Sequence, residues 1–190
     1  MSFDLDLRAF IEKARGNAEQ VVKKVAIDIL ASVIQRSPVG NPELWASNAI
    51  AKEYNDEVAR YNADLRTKPE NLTKAGRLKR GLKIKDGMDI VSTDGYVGGR
   101  FRGNWQATFG AKAVGETGRI DPKSRETLEA GIAVIATYNI AIDSIWITNN
   151  VPYSVPLEYG HSGQAPDGMV RVTMADVQKY VRDAVQELDR

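Results

Sequence analysis

The chain has 190 residues, a net charge of +1 and no cysteine. The length suits one domain with a small insert, large enough to bury roughly 70% of its unfolded surface. The missing cysteine excludes disulfides and thiolate chemistry and permits an intracellular assembly site, and the near-neutral charge excludes a global field toward nucleic acid or membrane. No apolar run is long enough to span a bilayer,. The start, Met1-Ser2-Phe3-Asp4-Leu5-Asp6, is acidic and lacks the basic region and apolar core of a signal peptide,.

Residues 4–36 are predicted to form one long helix. Phe10, Ala14, Ala18, Val21, Val25, Ile29 and Val33 recur every three or four residues, and Val22, Leu30 and Ile34 widen the stripe toward the C-terminal half,. The back half is therefore expected to be the more buried. Gly16 costs about 1 kcal/mol relative to Ala, which leaves room for a bend or break near residues 15–17. Pro38 ends the helix, and residues 39–45 read as a loop.

Residues 46–95 read as a peripheral excursion. Ile50, Tyr54, Val58, Tyr61 and Leu65 give a helical pattern in otherwise polar sequence,. Lys74, Arg77, Lys79, Arg80, Lys83 and Lys85 follow with no acidic residue between the first and last. Clustered cations suit a polyanion or an acidic partner, because counterions are released on contact. A solvated face is the simpler reading, since the earlier half of the excursion carries Glu53, Asp56, Glu57, Asp64 and Glu70. No aromatic residue interleaves the basic run, which removes base stacking from its repertoire. Gly76, Gly81, Gly87 and Gly95 argue for a ribbon or loop.

Gly98 to Gly103 is glycine-rich but has neither the dinucleotide fingerprint nor a Gly-Lys-Ser/Thr ending,. Asn104 to Ala111 is a predicted strand, with Trp105, Ala107 and Phe109 on one face and Trp105 in the core. Asp121-Pro122 is expected to open a helix running to about Tyr138, with Asp as N-cap and Pro at the first position. Residues 145–148 read as a strand, ended by Asn149-Asn150.

Val151 to Gly168 then reads as a stiff aromatic segment. Pro152 and Pro156 fix φ at two points, Tyr153, Leu157 and Tyr159 supply contact groups, and a polar loop follows,. Residues 169–173 read as a short strand, with Thr173 capping a last helix whose apolar face is Val177, Tyr180, Val181, Ala184 and Leu188. The whole is α+β: long helices on one face of a small antiparallel sheet, in a single domain with an insertion at about 46–95.

Catalytic chemistry is not legible. The lone histidine, His161, lies in a loop with Glu158, Ser162 and Asp167 near it in sequence, and neighbours in one flexible loop rarely hold triad geometry. One histidine and no cysteine make a transition-metal site improbable, and no calcium-loop spacing occurs, so neither cofactor nor metal is expected.

Four stretches together resemble a known family. They are Ser37-Pro38-Val39-Gly40-Asn41-Pro42, Gly98-Gly99-Arg100-Phe101-Arg102-Gly103-Asn104-Trp105-Gln106, the run from Ile147 to His161, and Ala165 to Thr173. In this order the chain resembles the tail-completion or neck proteins of long-tailed bacteriophages, the group that includes minor tail protein Z. The resemblance covers residues 5–48 and 95–188. It departs where 59 residues separate Val39 from Gly99, since the two signatures lie much closer together in that family.

The resemblance implies a structural virion protein, assembled in the host cytoplasm. It would sit in a ring, of six subunits in the family's pattern, at the head-proximal end of the tail. Its neighbours would be a tail terminator or tail tube and the head–tail connector. Candidate interface residues are Tyr153, Leu157, Glu158, Tyr159 and His161, with Arg100 and Arg102 as charged partners for Glu158 of a neighbour. Two other readings stay open: a nucleic-acid-binding accessory protein using the 74–85 run, and an enzyme of unrecognised type.

Overall fold

The computed structural model describes the backbone of residues 3–188 and the side chains of residues 10–188. The chain divides into two compact units, 1–39 with 97–190, and 40–96. The excursion thus includes Trp45 and Tyr96, whose rings meet edge-on at 5.2 Å.

The first unit is α+β. Helix α1 (Phe3–Arg36) is the expected single long helix and runs unbroken through Gly16. Its burial rises along its length: Phe10 is 69% exposed, whereas Ala26, Leu30, Val33 and Ile34 are buried. Strands β1 (Trp105–Phe109) and β2 (Ile145–Asn149) pair antiparallel, Trp105 opposite Asn149 and Phe109 opposite Ile145. Helix α4 (Arg125–Ala136), which follows the one-turn α3 (Arg100–Gly103), packs on α1 and on β1. The last helix, α6 (Val170–Leu188), packs along α1. Leu30, Ile34, Ile135, Val151 and Met169 form the driest part of the core. Gly131 lets α4 approach α1: a Cβ there would collide with Leu30 Cδ2,.

Two expectations need correction here. The helix expected from Asp121-Pro122 begins at Arg125, after Ser124 in the left-handed region. Asp121 still serves that helix, because its Oδ2 accepts from Thr127 N and Thr127 Oγ1, each at 2.8 Å. The strand expected at 169–173 does not exist. Those residues start α6, and Thr173 is buried within its first turn, its Oγ1 2.9 Å from Ser32 Oγ. The β-branched residues there lower helix propensity by only a few tenths of a kcal/mol each, less than a well-capped helix start returns.

The second unit is built on α2 (Ala49–Thr67). Its expected apolar stripe does little: Ile50, Tyr54 and Tyr61 are exposed, and Ala51 and Asn62 are its buried positions. Asparagines seven residues apart hold the unit instead. Asn48, Asn55 and Asn62 each donate to and accept from the backbone of one residue in an extended strap, respectively Val91, Met88 and Ile84. All six bonds measure 2.8–2.9 Å. The spacing matches, since seven helical residues rise about 10.5 Å and three to four extended residues span about 10–13 Å. The strap therefore runs antiparallel to α2.

Asn62→Leu is expected to cost about 1–3 kcal/mol, because it strands a backbone donor and acceptor at Ile84. Hydrogen exchange at residues 84–91 should accelerate, with exchange in α1 and α4 unchanged.

Candidate functional site

Val151 to Gly168 is anchored on one side and open on the other. Asn149, at the end of β2, donates to Phe101 O at 2.8 Å and accepts from Asn104 Nδ2 at 3.0 Å. Buried Val151 then leads into α5 (Ser154–Glu158), a short helix where a stiff extended segment was expected. Pro156 fits because it lies in the first turn, where a backbone N–H has no partner inside the helix. Leu157 packs against the core, with Ala165 and Met169 buried nearby in sequence.

Glu158 is the keystone of the segment. Its Oε2 accepts from Met169 N and Val170 N, and its Oε1 from Arg171 N, each at 2.9 Å. A carboxylate at a helix N-terminus satisfies donors that have no partner within the helix and meets the positive end of the helix dipole. Burial pushes the Glu158 carboxyl up, but the three backbone donors and Arg171 outweigh it and hold the group below the usual glutamate range. Gly168 makes the approach possible, since its φ is +79° and a Cβ would strike Glu158,.

This geometry corrects the expected role of Glu158. The carboxylate is committed within its own subunit, and its side chain is only 17% exposed, so it is not offered to a neighbour's arginine. Arg100 and Arg102 are likewise engaged at home. Arg100 forms a two-pronged pair with Glu116, Nε to Oε2 at 3.1 Å and Nη2 to Oε1 at 2.9 Å. Arg102 donates to Ser37 O at 2.6 Å and to Pro122 O at 2.8 Å, and burial lowers its pKa.

The open side carries the contact groups. Tyr159 is 70% exposed and Val155 63%. The Arg171 guanidinium lies over the Tyr159 ring at 5.3 Å, which favours one ring orientation without covering it. Tyr153 is partly exposed, 6.2 Å from Phe101 and 6.0 Å from the Arg100 guanidinium. His161 is exposed, and its backbone N donates to Pro156 O. Val155 had no signal in sequence beyond lying between two prolines.

Two of the four stretches that carry the resemblance meet at Ser37, and a third joins them through Asn149. Trp105 Nε1 donates to Ser37 Oγ at 2.7 Å, and Ser37 Oγ donates to Val33 O. Arg102 reaches Ser37 O, and Gln164 brackets the backbone of Val39, donating to its O and accepting from its N. Asn149 ties Phe101 and Asn104 to the end of β2.

In the second unit, Lys74, Arg77, Lys79, Arg80, Lys83 and Lys85 are all exposed, and none pairs with an acidic side chain among the described residues. They lie on and after a turn closed by Thr73 N to Arg77 O and Lys79 N to Asn71 O. Among the described residues, no His, Asp and Glu group gathers that could hold a metal ion, and no helix is long and apolar enough to cross a membrane. Comparison of the chain with protein-family models, with curated proteins and with solved structures finds no match.

Proposed function

We propose that this protein is a structural component of a phage virion. It completes the tail at the head-proximal end and helps join tail to head, as one subunit of a homo-oligomeric ring. Six subunits is the number its resemblance implies, with a tail terminator or tail tube and the connector as neighbours. The observation that carries this reading is how the stretches behind the resemblance are joined. Ser37 bonds to Arg102 and Trp105, and Asn149 to Phe101 and Asn104, so three of the four stretches, far apart in the chain, are joined by hydrogen bonds, for which a chance likeness at each gives no reason. The role is non-catalytic. Beside those bonds, a short helix clamped from within displays Val155 and Tyr159, an arrangement suited to docking, because an ordered aromatic loses little freedom on binding.

Tyr159→Ala tests this. Among the described residues the ring's one aromatic or cationic contact is with Arg171, worth about 0.5–1 kcal/mol at an exposed site, so the variant should fold. Purified wild-type protein should form rings in negative stain, and the variant should associate at least about tenfold more weakly, as for an interface anchor. In infected cells supplied with the variant, free heads and free tails should accumulate. Complete particles at normal titre would remove this segment from the interface.

The second reading is a nucleic-acid accessory protein, favoured by the six exposed, unpaired cations. It requires salt-dependent affinity for duplex DNA that falls on charge reversal at Lys79 and Arg80.

A further inference from the structure

The antiparallel strap sorts the charges of the 40–96 unit by position along α2. Glu43, Glu53, Asp56 and Glu57 precede or occupy the first half of the helix. Because Val91 lies beside Asn48 and Met88 beside Asn55, the strap brings Asp86, Asp89 and Asp94 toward that same end. Tyr54 Oη donates to Asp86 Oδ2, which fixes one of them there. Only Lys52 opposes these seven acids, so this end carries a net −6. The other half, residues 58–85, holds nine Lys and Arg against Asp64 and Glu70, a net +7. The unit as a whole is close to neutral, yet strongly two-ended.

The 19 residues of α2 span about 28 Å at 1.5 Å each. That is several Debye lengths at physiological salt, where screening acts over about 8 Å. The two halves touch near the middle of α2, where Arg60 pairs with Glu57, but the outer charges, Glu43 and Asp94 at one end and Lys74 to Arg80 beyond the other, are too far apart to neutralise each other within one copy,. They can do so between copies.

We infer that the 40–96 unit is a head-to-tail self-association module, its basic end (Lys74 to Lys85) docking on the acidic end of the same unit in a second copy. The contact is heterologous, joining two different surfaces, so it propagates around a ring or along a filament. A nucleic acid fits less well. No aromatic side chain stands among residues 74–85 to stack on bases,, whereas the acidic end of a second copy supplies the complementary charge. The inference does not rest on the tail reading, because it uses a different unit from the Val155–Tyr159 surface.

Complementary charge reversal tests it on the full chain. One variant carries K79E, R80E and K83E; the other carries E53K, D89K and D94K. All six side chains are exposed, and none enters an ion pair or side-chain hydrogen bond among the described residues, so both variants should fold. Association is read by sedimentation. Wild type should self-associate at about 0.01 M salt, and its Kd should rise at least tenfold by about 1 M, as screening shrinks from about 30 Å to about 3 Å. Each variant alone, its basic end cut to a net +1 or its acidic end to a net 0, should associate at least about tenfold more weakly than wild type at low salt,. An equimolar mixture should associate again.

Three results would overturn the inference: wild-type association indifferent to salt, variants that associate like wild type, or a mixture that stays dissociated. A fourth would reassign the basic end to nucleic acid: wild type binds a duplex oligonucleotide, the K79E, R80E, K83E variant does not, and sedimentation of the two is alike. Tyr159→Ala leaves this unit untouched, so failure of the tail reading and failure of this one are distinguishable.

Discussion

Glu158→Lys is expected to lower stability by about 3–5 kcal/mol, enough to unfold a marginal domain. The carboxylate accepts three backbone N–H groups at the start of α6, and hydrogen bonds to a charged group each contribute about 1.5–3 kcal/mol, not additively. The lysine also places a cation at the positive end of a helix. Glu158→Gln removes the charge but keeps an acceptor, so it should cost less. The wild-type contribution depends on pH. The folded carboxyl is held below its ordinary value of 4.5 because the donors outweigh burial. Its stabilisation is therefore complete above pH 4.5 and is lost as pH falls through the lower folded value. Asp121 is depressed in the same direction: burial raises it, and donors from Thr127, Arg125 and Ser124 outweigh that. Urea midpoints measured from neutral to strongly acidic pH should fall for wild type, and fall less for Glu158→Gln. Equal acid slopes would show that Glu158 does not hold the helix start.

Leu30→Ala is expected to cost about 3–4 kcal/mol, within the range of about 2–5 for a fully buried leucine. Leu30 is 0% exposed and faces Gly131. Gly131 has no side chain to move into the space, so the cavity cannot collapse from that side. The pair also makes a sharper test. Gly131→Ala alone adds a methyl that collides with Leu30 Cδ2 and should cost about 1–3 kcal/mol as overpacking, despite the better helix propensity of alanine. In the Leu30→Ala background the same methyl enters a void. The two changes should therefore be less damaging together than their sum, with a coupling of about 1 kcal/mol or more by urea unfolding. Additive costs would mean that α1 and α4 do not meet at these residues.

Much of the framework was legible because it rests on periodicity. The stripe ending in Leu30, Val33 and Ile34 marked α1, and alternation around Trp105 and Ala107 marked β1. The pattern from Ile50 to Leu65 read as helical for the same reason, although the apolar side chains that suggested it are mostly exposed. The true signal there, three asparagines at a spacing of seven, was present in the sequence. It could not be interpreted without its partner strap, 22 to 43 residues away along the chain.

The candidate site was only half legible. That residues 151–168 form a presented segment followed from two prolines and two tyrosines. That Tyr159 faces outward while Glu158 is consumed inward did not, because neighbouring positions on a short helix point in different directions and nothing local says which face meets the core. Arg100 and Arg102 looked equally available, and each is held by a group 16 to 65 residues away.

The amino-acid sequence by itself determined the α+β class, the positions of the two strands and the long first helix, and the basic run at 74–85. These depend on the order of apolar and charged residues within a few turns or strand repeats. Only the tertiary structure decided where α6 begins, which side chains remain open at α5, and that the acids of residues 43–57 and 86–94 share one end of a unit. Each of these depends on a hydrogen bond between segments distant in the chain: Glu158 to Met169, Asn149 to Phe101, Asn48 to Val91. Such a bond is worth making only once the surrounding fold has excluded water from it.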